Sequence, residues 1–444
     1  PRTILTQMLL DPESAGQGPE VWLCAWCYRC YDHCPQAIKL PEIFLLLRTS
    51  ALKKRKTAGL KKALKIIGDS IPIPTICIRA CFHPERGRLD GPLEMKSVMK
   101  LLAEYERGIL RKEIRAQRMQ QDEKVAIIGS GPTGLAAAHE LLNRGYSVEV
   151  LESLPKLGGM LRVGLPQYRL PDEVLDGEIR RLEQLGLKGQ TGSFAGRELS
   201  ISELRQRYDA ILIATGAHRS TPLHLEGEKL GGVIRGLEFL KKTRLHEKMK
   251  LGERVVVIGG GNVAIDAART VSRLGKRVTV LYRRSKDEMP ANPWEVEHAL
   301  KEGVRFRFLA APKRIHGRSG RVTAIECVRM SLGERDASGR RRPVPIEGSE
   351  FRIKVDTVIP ATGEVPETSF LPEEIRLDDR GTVLVDLETT ETSLAGIFAA
   401  GDVVSGPATI IEAVARGKRT AQAIDKYLHA RKSNLLSQKT CIVH

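Results

Sequence analysis

Four cysteines near the start of the chain have the spacing of an iron–sulfur ligand set. They are Cys24, Cys27, Cys30 and Cys34, and a proline follows the last of them. This C-x-x-C-x-x-C-x-x-x-C-P run is the bacterial ferredoxin pattern, in which thiolates bind the corners of a [4Fe–4S] cluster. Structural zinc sites usually present two separated pairs of ligands, so zinc is the weaker interpretation. We therefore expect these four cysteines to be cluster ligands.

The other cysteines leave the number of clusters open at one or two. In two-cluster ferredoxins the fourth cysteine of each run binds the other cluster, and the sequence holds no second complete run. Cys77 and Cys81 are less certain ligands, because free cysteines are often buried as small apolar residues. Either Cys34, Cys77 or Cys81 completes one cluster, or a preceding segment or a partner completes two.

A different chemistry is indicated by a glycine fingerprint between a strand pattern (124–128) and a helix pattern (135–144). The fingerprint comprises Gly129, Gly131 and Gly134. Glycines at this spacing permit a tight turn, the close approach of a pyrophosphate and close helix packing. Glu152 follows the next predicted strand (148–151), where a carboxylate can accept a hydrogen bond from a ribose hydroxyl. We expect a dinucleotide to bind here.

The same arrangement returns between predicted strands at 254–258 and 278–282, with a helix predicted at 264–274. Its fingerprint comprises Gly259, Gly261, Asn262 and Ala264. Arg283 and Arg284 stand at the end of the second strand, where an NAD site would place a carboxylate. Guanidinium groups can pair with a 2′-phosphate, so the sequence favours NADPH over NADH at this unit.

Two further segments indicate that the first unit holds flavin. Thr215 and Gly216 follow an apolar strand predicted at 210–213, and a similar turn follows a strand predicted at 356–359. Near the end of the chain, Gly401 and Asp402 precede a helix predicted to begin around Thr409. Asp402 could bind a hydroxyl of FAD, and the positive end of that helix would stabilise reduced flavin.

These motifs give the chain a family resemblance. Residues 120–430 resemble the small subunit of NADPH-dependent glutamate synthase and its relatives, most clearly at 158–171, 259–273 and 282–291. The resemblance implies FAD at the first fingerprint and NADPH at the second, and it adds Gly158 and Gly159 to the expected FAD site. Residues 22–30 look like the second cluster motif in the ferredoxin-like subunit of heterodisulfide reductase.

The predicted fold is an α/β flavoprotein with two dinucleotide-binding domains, the NADPH domain being inserted in the FAD domain, preceded by an α-helical Fe–S domain. The expected boundaries are 1–112 for the helical ferredoxin-like domain, 113–250 and 357–430 for the FAD domain, 251–356 for the NAD(P)H domain, and 431–444 for a tail. Flavin signatures on both sides of the nucleotide signature predict this insertion.

Composition narrows the class of protein. The 444 residues carry a net charge of +17, which favours an acidic partner, but aromatic residues are only 5%, and no stacking module typical of nucleic-acid binding is present. There is no apolar run long enough to cross a membrane. We expect a cytoplasmic protein, associated with a larger complex through a ferredoxin-like or heterodisulfide-reductase-like partner.

The function expected from these motifs is electron transfer between NADPH, FAD and [4Fe–4S] clusters, to or from a partner carrier or subunit. One alternative is the small subunit of a glutamate synthase, and another is a non-catalytic redox-sensing or assembly subunit. A disulfide reductase of the thioredoxin-reductase type would need a C-x-x-C pair near the flavin, and only Cys327 lies between 252 and 356. The terminal acceptor is not identified by the sequence.

Overall fold

The computed structural model describes residues 121–193, 199–336 and 339–441, with side chains described as far as residue 433. The predicted helical Fe–S domain, with its six cysteines, lies outside the described residues.

The first described segment alternates strands and helices. It contains β1 (Lys124–Ile128), α1 (Pro132–Asn143), β2 (Ser147–Glu152), α2 (Met160–Val163), α3 (Asp172–Gln184), β3 (Lys188–Thr191), α4 (Ile201–Arg207) and β4 (Ala210–Ile213). All four residues of β4 and the last four of β1 are buried. Such continuous apolar runs are typical of parallel strands covered on both faces.

The chain then passes into a second alternating unit. It contains β5 (Arg219–Ser220), α5 (Gly236–Arg244), β6 (Arg254–Ile258), α6 (Asn262–Arg273), β7 (Arg277–Leu281), a 3-10 turn (Lys286–Glu288), α7 (Pro293–Lys301) and β8 (Arg305–Arg307). The glycine fingerprints occupy the same place in both units, between the first strand and the helix after it.

Four antiparallel strands follow, which are not among the predicted elements. They are β9 (Ala310–Arg318), β10 (Arg321–Arg335), β11 (Arg341–Pro345) and β12 (Phe351–Lys354), and the long strand β10 pairs with each of the other three. One face of this sheet is buried, with Ile315, Ile325 and Cys327 in its core.

The last elements return the chain to both parallel sheets. They are β13 (Thr357–Pro360), β14 (Glu364–Val365), β15 (Ile397–Ala399), α8 (Asp402–Ser405) and α9 (Ile410–Cys441). The first sheet has the order β15-β4-β1-β2-β3 and the second β13-β6-β7-β8, while β5 and β14 pair where the chain crosses between them. β15 follows the second unit in the chain, yet it is the edge strand of the first sheet. The second unit is therefore inserted in the first, as predicted.

The structure places the edges of the units differently from the predicted boundaries. β13 pairs with β6, so the second sheet continues to Pro360 rather than ending at 356. On the other side, Phe239 and Leu240 of α5 are buried in the core of the second unit, ahead of the boundary at 250. α9 runs on to Cys441, so most of the predicted tail is helix. Long-range pairing and packing set these edges, and local sequence patterns do not report them.

Helix α9 packs against α1 and so joins the two ends of the first unit. A Cβ at Gly417 would lie 2.3 Å from the carbonyl oxygen of Thr133, so only glycine permits this approach. Ala421, Ile424 and Leu428 of α9 are buried in the same core as α1. This packing brings the start of α9 close to the first glycine turn.

Candidate functional site

The first glycine turn leaves an open surface at Gly131. Gly129 has a φ of 104°, and a Cβ there would lie 2.5 Å from the carbonyl oxygen of Ala214. At Gly134 a Cβ would lie 2.0 Å from the carbonyl oxygen of Gly129, whereas at Gly131 it would meet nothing within 4 Å. Gly131 also caps α1 without a side-chain hydrogen bond, so backbone N–H groups remain for a ligand.

Glu152, at the end of β2, is held beside this turn by hydrogen bonds. Its carboxylate accepts from the backbone N–H of Ser130 at 3.0 Å and of Leu154 at 2.8 Å, and also from the Ser130 hydroxyl. The same hydroxyl accepts from the N–H of Gly158 at 2.8 Å. Glu152 is therefore fixed at the edge of the cleft that the turn opens onto.

Asp402 and Thr215 carry buried oxygen atoms without partners. Neither Oδ1 of Asp402 nor Oγ1 of Thr215 has a hydrogen-bond partner in the described part of the chain. The other Asp402 oxygen accepts from the N–H of Ala408, and burial raises the pKa of Asp402 to about 6. Buried polar atoms are normally paired, so these two atoms fit a ligand that brings hydroxyl groups, as FAD does.

The N-terminus of α9 faces the same space. Thr409 precedes α9 and shares a capping box with Glu412: the Glu412 N–H donates to the Thr409 hydroxyl at 3.3 Å, and the Thr409 N–H donates to the Glu412 carboxylate at 2.9 Å. The predicted helix start is thus one residue from the observed one, Ile410. Such a terminus carries partial positive charge.

These features line one cleft of about 560 Å³. The predicted residues along it are Gly129, Gly131, Glu152, Gly159, Thr215, Gly216, Asp402, Thr409 and Asn262. Gly134, Gly158 and Gly401 lie behind this lining, and a Cβ at Gly401 would approach the Thr133 hydroxyl to 2.3 Å. Another cavity, of about 650 Å³, is lined by loop residues such as His224 and Arg235 and by none of the predicted ones.

The second unit contributes the start of α6 to the cleft, and its own glycine turn directly precedes that helix. Gly259 has a φ of 147°, and a Cβ there would lie 2.2 Å from the carbonyl oxygen of Ala361. Gly261 is open, like Gly131, and caps α6 without a side-chain bond. Asn262 lines the cleft and accepts from the N–H of Asn292 at 2.9 Å. Ala264 is fully buried where the first unit has glycine.

The structure separates the two predicted arginines after β7. Arg283 is exposed, but Arg284 is only 4% exposed and turns toward the β10–β11 hairpin. Its guanidinium donates to the carboxylate of Asp336 at 2.5 Å and to the carbonyl oxygen of Arg341 at 2.7 Å. Only Arg283 of the pair is thus exposed at the strand end, because Arg284 is committed to partners that lie outside the nucleotide fingerprint.

Sequence reasoning missed a charged link between the two units. Arg169, in the connection between α2 and α3, donates to Asp266 of α6 at 2.6 Å and lies 3.5 Å from the carboxylate of Glu295. Burial raises the pKa of Asp266 to about 6, and its Oδ1 has no hydrogen-bond partner among the described residues. Arg169 and Asp266 both line the cleft. Arg169 lies in a run that supports the family resemblance, but its partner is 97 residues away.

Tyr168 strengthens the same link. Its ring stacks under the guanidinium groups of Arg273 and Arg269, with 4.0 Å and 4.6 Å between guanidinium carbon and ring centroid. Cation–π contacts of this kind are attractive when the groups are shielded from water. The first unit therefore contacts α6 through the aromatic ring of Tyr168 and the charged side chain of Arg169.

The described residues do not reach the predicted cluster site. Cys24, Cys27, Cys30, Cys34, Cys77 and Cys81 all lie outside them, so their role as ligands stays a prediction. Within the described ranges, no group of three or more histidine, cysteine or acidic residues could hold a metal ion. None of the helices in those ranges is both long and apolar enough to cross a bilayer.

A family model agrees with this architecture. The model described as pyridine nucleotide-disulphide oxidoreductase matches residues 123–417, which include both glycine turns and Asp402. Among solved structures, FprA from Mycobacterium tuberculosis in complex with NADPH has a TM-score of 0.61 at 21% identity, over 71% of this chain and 86% of that one. Thioredoxin reductase from T. acidophilum has a TM-score of 0.53 at 26% identity, over 70% and 99%. These likenesses confirm the predicted two-nucleotide fold.

Three curated relatives align with nearly the whole chain. The beta subunit of NADP(+)-dependent formate dehydrogenase from Moorella thermoacetica is 39% identical over 90% of this chain and 60% of its own length. The beta subunit of NADPH-Fe(3+) oxidoreductase from Geobacter sulfurreducens is 38% identical over 91% and 64%. The glutamate synthase [NADPH] small chain from Azospirillum brasilense is 33% identical over 90% and 86%. This chain thus spans under two thirds of the first two relatives.

The resemblance to the glutamate synthase small subunit is confirmed by these matches. The two glycine turns, the unpaired polar atoms on the cleft and the two-unit topology fit FAD together with a nicotinamide dinucleotide. The chain belongs to the pyridine nucleotide-disulphide oxidoreductase family.

Proposed function

We propose that this protein transfers electrons between NADPH, FAD and one or two [4Fe–4S] clusters, to or from a partner subunit. The observation that carries the proposal is a cleft lined by the glycine turn of the first unit and by the start of α6, which directly follows the glycine turn of the second, since NADPH and FAD must meet for hydride transfer. FAD, when bound, supplies two-electron acceptance from the nicotinamide and one-electron release to the cluster.

The residues of the first unit would hold FAD by distinct means. The N–H groups at the start of α1 and the open face of Gly131 suit a pyrophosphate, and Glu152 suits a ribose hydroxyl. Oδ1 of Asp402 and Oγ1 of Thr215 would accept from or donate to further hydroxyls. The proposed FAD residues are Gly129, Gly131, Gly134, Glu152, Gly158, Gly159, Thr215, Gly216, Gly401, Asp402 and Thr409.

The second unit would hold NADPH in a similar way. The N–H groups at the start of α6 suit its pyrophosphate, and the exposed Arg283 suits its 2′-phosphate. Arg284 would act indirectly, through the hairpin that it contacts. The remaining proposed residues of this site are Gly259, Gly261, Asn262 and Ala264.

The cluster and the partner are proposed from the N-terminal segment. Residues 121–444 make up less than three quarters of the chain, so relatives that match 90% of it also match part of the cysteine-bearing segment. Those relatives are named as subunits. A ferredoxin-like or heterodisulfide-reductase-like partner would suit the ferredoxin spacing of the cysteines, and such clusters suit a cytoplasmic location.

Purification without exposure to air tests the cofactor content. We expect one FAD per chain and at least one [4Fe–4S] cluster, measured by flavin absorbance, iron analysis and electron paramagnetic resonance. Cys27→Ser should lower the iron content, whereas Cys441→Ser, outside the ferredoxin run, should leave it unchanged. Zinc in place of iron in the air-free protein would overturn the cluster assignment.

A glutamate synthase small subunit is the second candidate. It is favoured by the Azospirillum brasilense small chain, of which this chain covers 86%, against 60% for the formate dehydrogenase subunit. The test is to mix the purified protein with a glutamate synthase large subunit and NADPH. Glutamine-dependent NADPH oxidation would support this candidate, and oxidation that is independent of glutamine would count against it.

A further inference from the structure

The β10–β11 hairpin lies against the end of β7, where a 2′-phosphate would bind. Arg284 donates from Nη2 to the hairpin residue Asp336 at 2.5 Å and from Nε to the carbonyl oxygen of Arg341 at 2.7 Å. The N–H of Arg341 donates to Oε1 of Glu288 at 2.8 Å. The backbone of Arg341 is thus held from both sides by the segment that follows β7.

The side chain of Arg341 takes no part in these bonds. Arg341 and Arg283 are both exposed, and neither forms an ion pair with another described residue. The nearby carboxylate of Asp336 is already paired with Arg284. The hairpin therefore fixes the backbone of Arg341 beside the strand end, with the side chain exposed, and its acidic residue Asp336 is already paired.

A second guanidinium group near the strand end would strengthen the binding of a 2′-phosphate. The segment after the second strand of a dinucleotide unit reaches the 2′ position of the nucleotide. Of the two arginines there, one is buried in its contact with the hairpin, which leaves Arg283. A phosphate presents three oxygen atoms, and more than one guanidinium can pair with it through two hydrogen bonds each.

We propose that Arg341 is a second ligand of the NADPH 2′-phosphate and a determinant of the preference for NADPH over NADH, with Arg284 as the positioning residue that holds the hairpin in place. This inference rests on the proposed use of NADPH. It assigns a specificity role to a residue 58 positions beyond Arg283, in a sheet that the nucleotide fingerprint does not include.

The test is isothermal titration calorimetry of NADP+ and NAD+ with the FAD-loaded, full-length protein, which measures binding rather than turnover. Arg341→Ala should weaken NADP+ binding by about ten- to a hundredfold, the loss expected for a charge-assisted phosphate contact, and leave NAD+ binding nearly unchanged. Arg341→Lys should retain only part of the affinity for NADP+, because an ammonium group keeps the positive charge but cannot make two paired hydrogen bonds.

Arg342 provides the matched control. It is the next residue of β11, also exposed, and its side chain points to the opposite face of the strand. Arg342→Ala should bind NADP+ as the wild type does. Lys286, an exposed cation in the turn after β7, is the competing source of charge. A loss of NADP+ affinity in Lys286→Ala but not in Arg341→Ala would overturn the proposal.

The remaining outcomes separate this inference from the proposed function. Because Arg341 makes its structural bonds through the backbone, Arg341→Ala should unfold at the wild-type temperature; if it does not fold, the same comparison is made with Arg341→Lys. Unchanged NADP+ affinity, or equal loss for NADP+ and NAD+, would overturn the role of Arg341 while leaving the proposed function intact. A wild-type protein that binds NAD+ more tightly than NADP+ would overturn both.

Discussion

Asp402, which is partly buried, and Glu152, which is fully buried, lie on the same cleft and differ in their hydrogen bonds. Glu152 accepts hydrogen bonds from two backbone N–H groups and a hydroxyl, whereas Oδ1 of Asp402 has no partner among the described residues. Burying a polar atom without a hydrogen-bond partner costs stability. An unpaired atom on a ligand cleft therefore indicates ligand contact more strongly than the position of a residue in a sequence motif does. At the residue scale, Asp402 is therefore the group whose environment FAD would change most.

Asp402→Asn should change the pH dependence of stability in the flavin-free protein. Burial raises the pKa of Asp402 to about 6, above its value of about 4 in an unfolded chain, so ionisation disfavours the folded state. The variant should unfold at a higher temperature than the wild type above pH about 6. The difference should shrink as the pH falls from about 6 to about 4, and disappear below that, as measured by scanning calorimetry. A difference that does not vary with pH would contradict this.

Arg283→Ala and Arg284→Ala should have different consequences, because the structure gives them different surroundings. Loss of the exposed Arg283 should weaken NADPH by about ten- to a hundredfold and NADH far less, as read from the nucleotide dependence of flavin reduction. Loss of the buried Arg284 should also lower the unfolding temperature, since Asp336 and the Arg341 carbonyl lose their donor. Equal loss with both nucleotides in Arg283→Ala would show that it is an ordinary surface residue.

At the scale of elements, the two strand–turn–helix units form similar glycine turns from slightly different residues. Both begin with a glycine of positive φ, Gly129 and Gly259, that brings the turn against a neighbouring backbone. Both leave the middle glycine open at an uncapped helix N-terminus. They differ at the third position, where Gly134 is so close to the turn that a Cβ cannot fit, while Ala264 is accommodated.

Gly131→Ala and Gly134→Ala form a matched pair that separates binding from folding. Gly131 has a φ of −66° and free space around a Cβ, so the flavin-free Ala variant should be as stable as the wild type but retain little FAD. In Gly134→Ala the Cβ would lie 2.0 Å from a carbonyl oxygen, so the protein itself should be destabilised. Flavin content and urea unfolding are the measurements, and full FAD retention by Gly131→Ala would contradict the pyrophosphate assignment.

The elements that the sequence predicts well are those encoded by local patterns. β4 is apolar throughout, β1 and β6 are apolar after a first basic residue, and the bounds of all three agree with the predicted ones. The antiparallel strands β9–β12 were not predicted, because β9, β11 and β12 each pair with β10 and a local sequence pattern does not report such pairing. The partners of Arg284 and Arg169 escaped for the same reason: Asp336 and Asp266 lie 52 and 97 residues away.

At the scale of the whole molecule, the described units are joined by more than the crossing strands β5 and β14. Arg169 connects the first unit to Asp266 and Glu295 of the second, and Tyr168 stacks against two arginines of α6. Asp266 is 3% exposed and close to Glu295, so Arg169 and Arg269 together offset two negative charges in a buried place. This link lies on the cleft, where the relative position of the units decides how closely two bound cofactors meet.

Arg169→Ala should therefore destabilise the protein strongly. Removing one partner from a buried charge network costs about 3–5 kcal/mol, and here Asp266 loses the arginine that it is paired with, although Glu295 keeps its pair with Arg269. The control is Lys313→Ala, which breaks an exposed pair with Glu350 and should cost no more than about 1 kcal/mol. Urea unfolding measures both, and equal stability of the two variants would show that the link between the units is energetically unimportant.

The central claim is that one cleft brings a nicotinamide dinucleotide of the second unit to FAD held by the first. The most direct test is rapid mixing of the air-free, FAD-containing protein with NADPH while the flavin absorbance is followed. We predict that NADPH bleaches the flavin, that NADH does so only at much higher concentration, and that Gly261→Ala slows both reactions by obstructing the nucleotide turn. Flavin that remains oxidised with either nucleotide, or that is reduced equally well by the Gly261→Ala variant, would contradict the account.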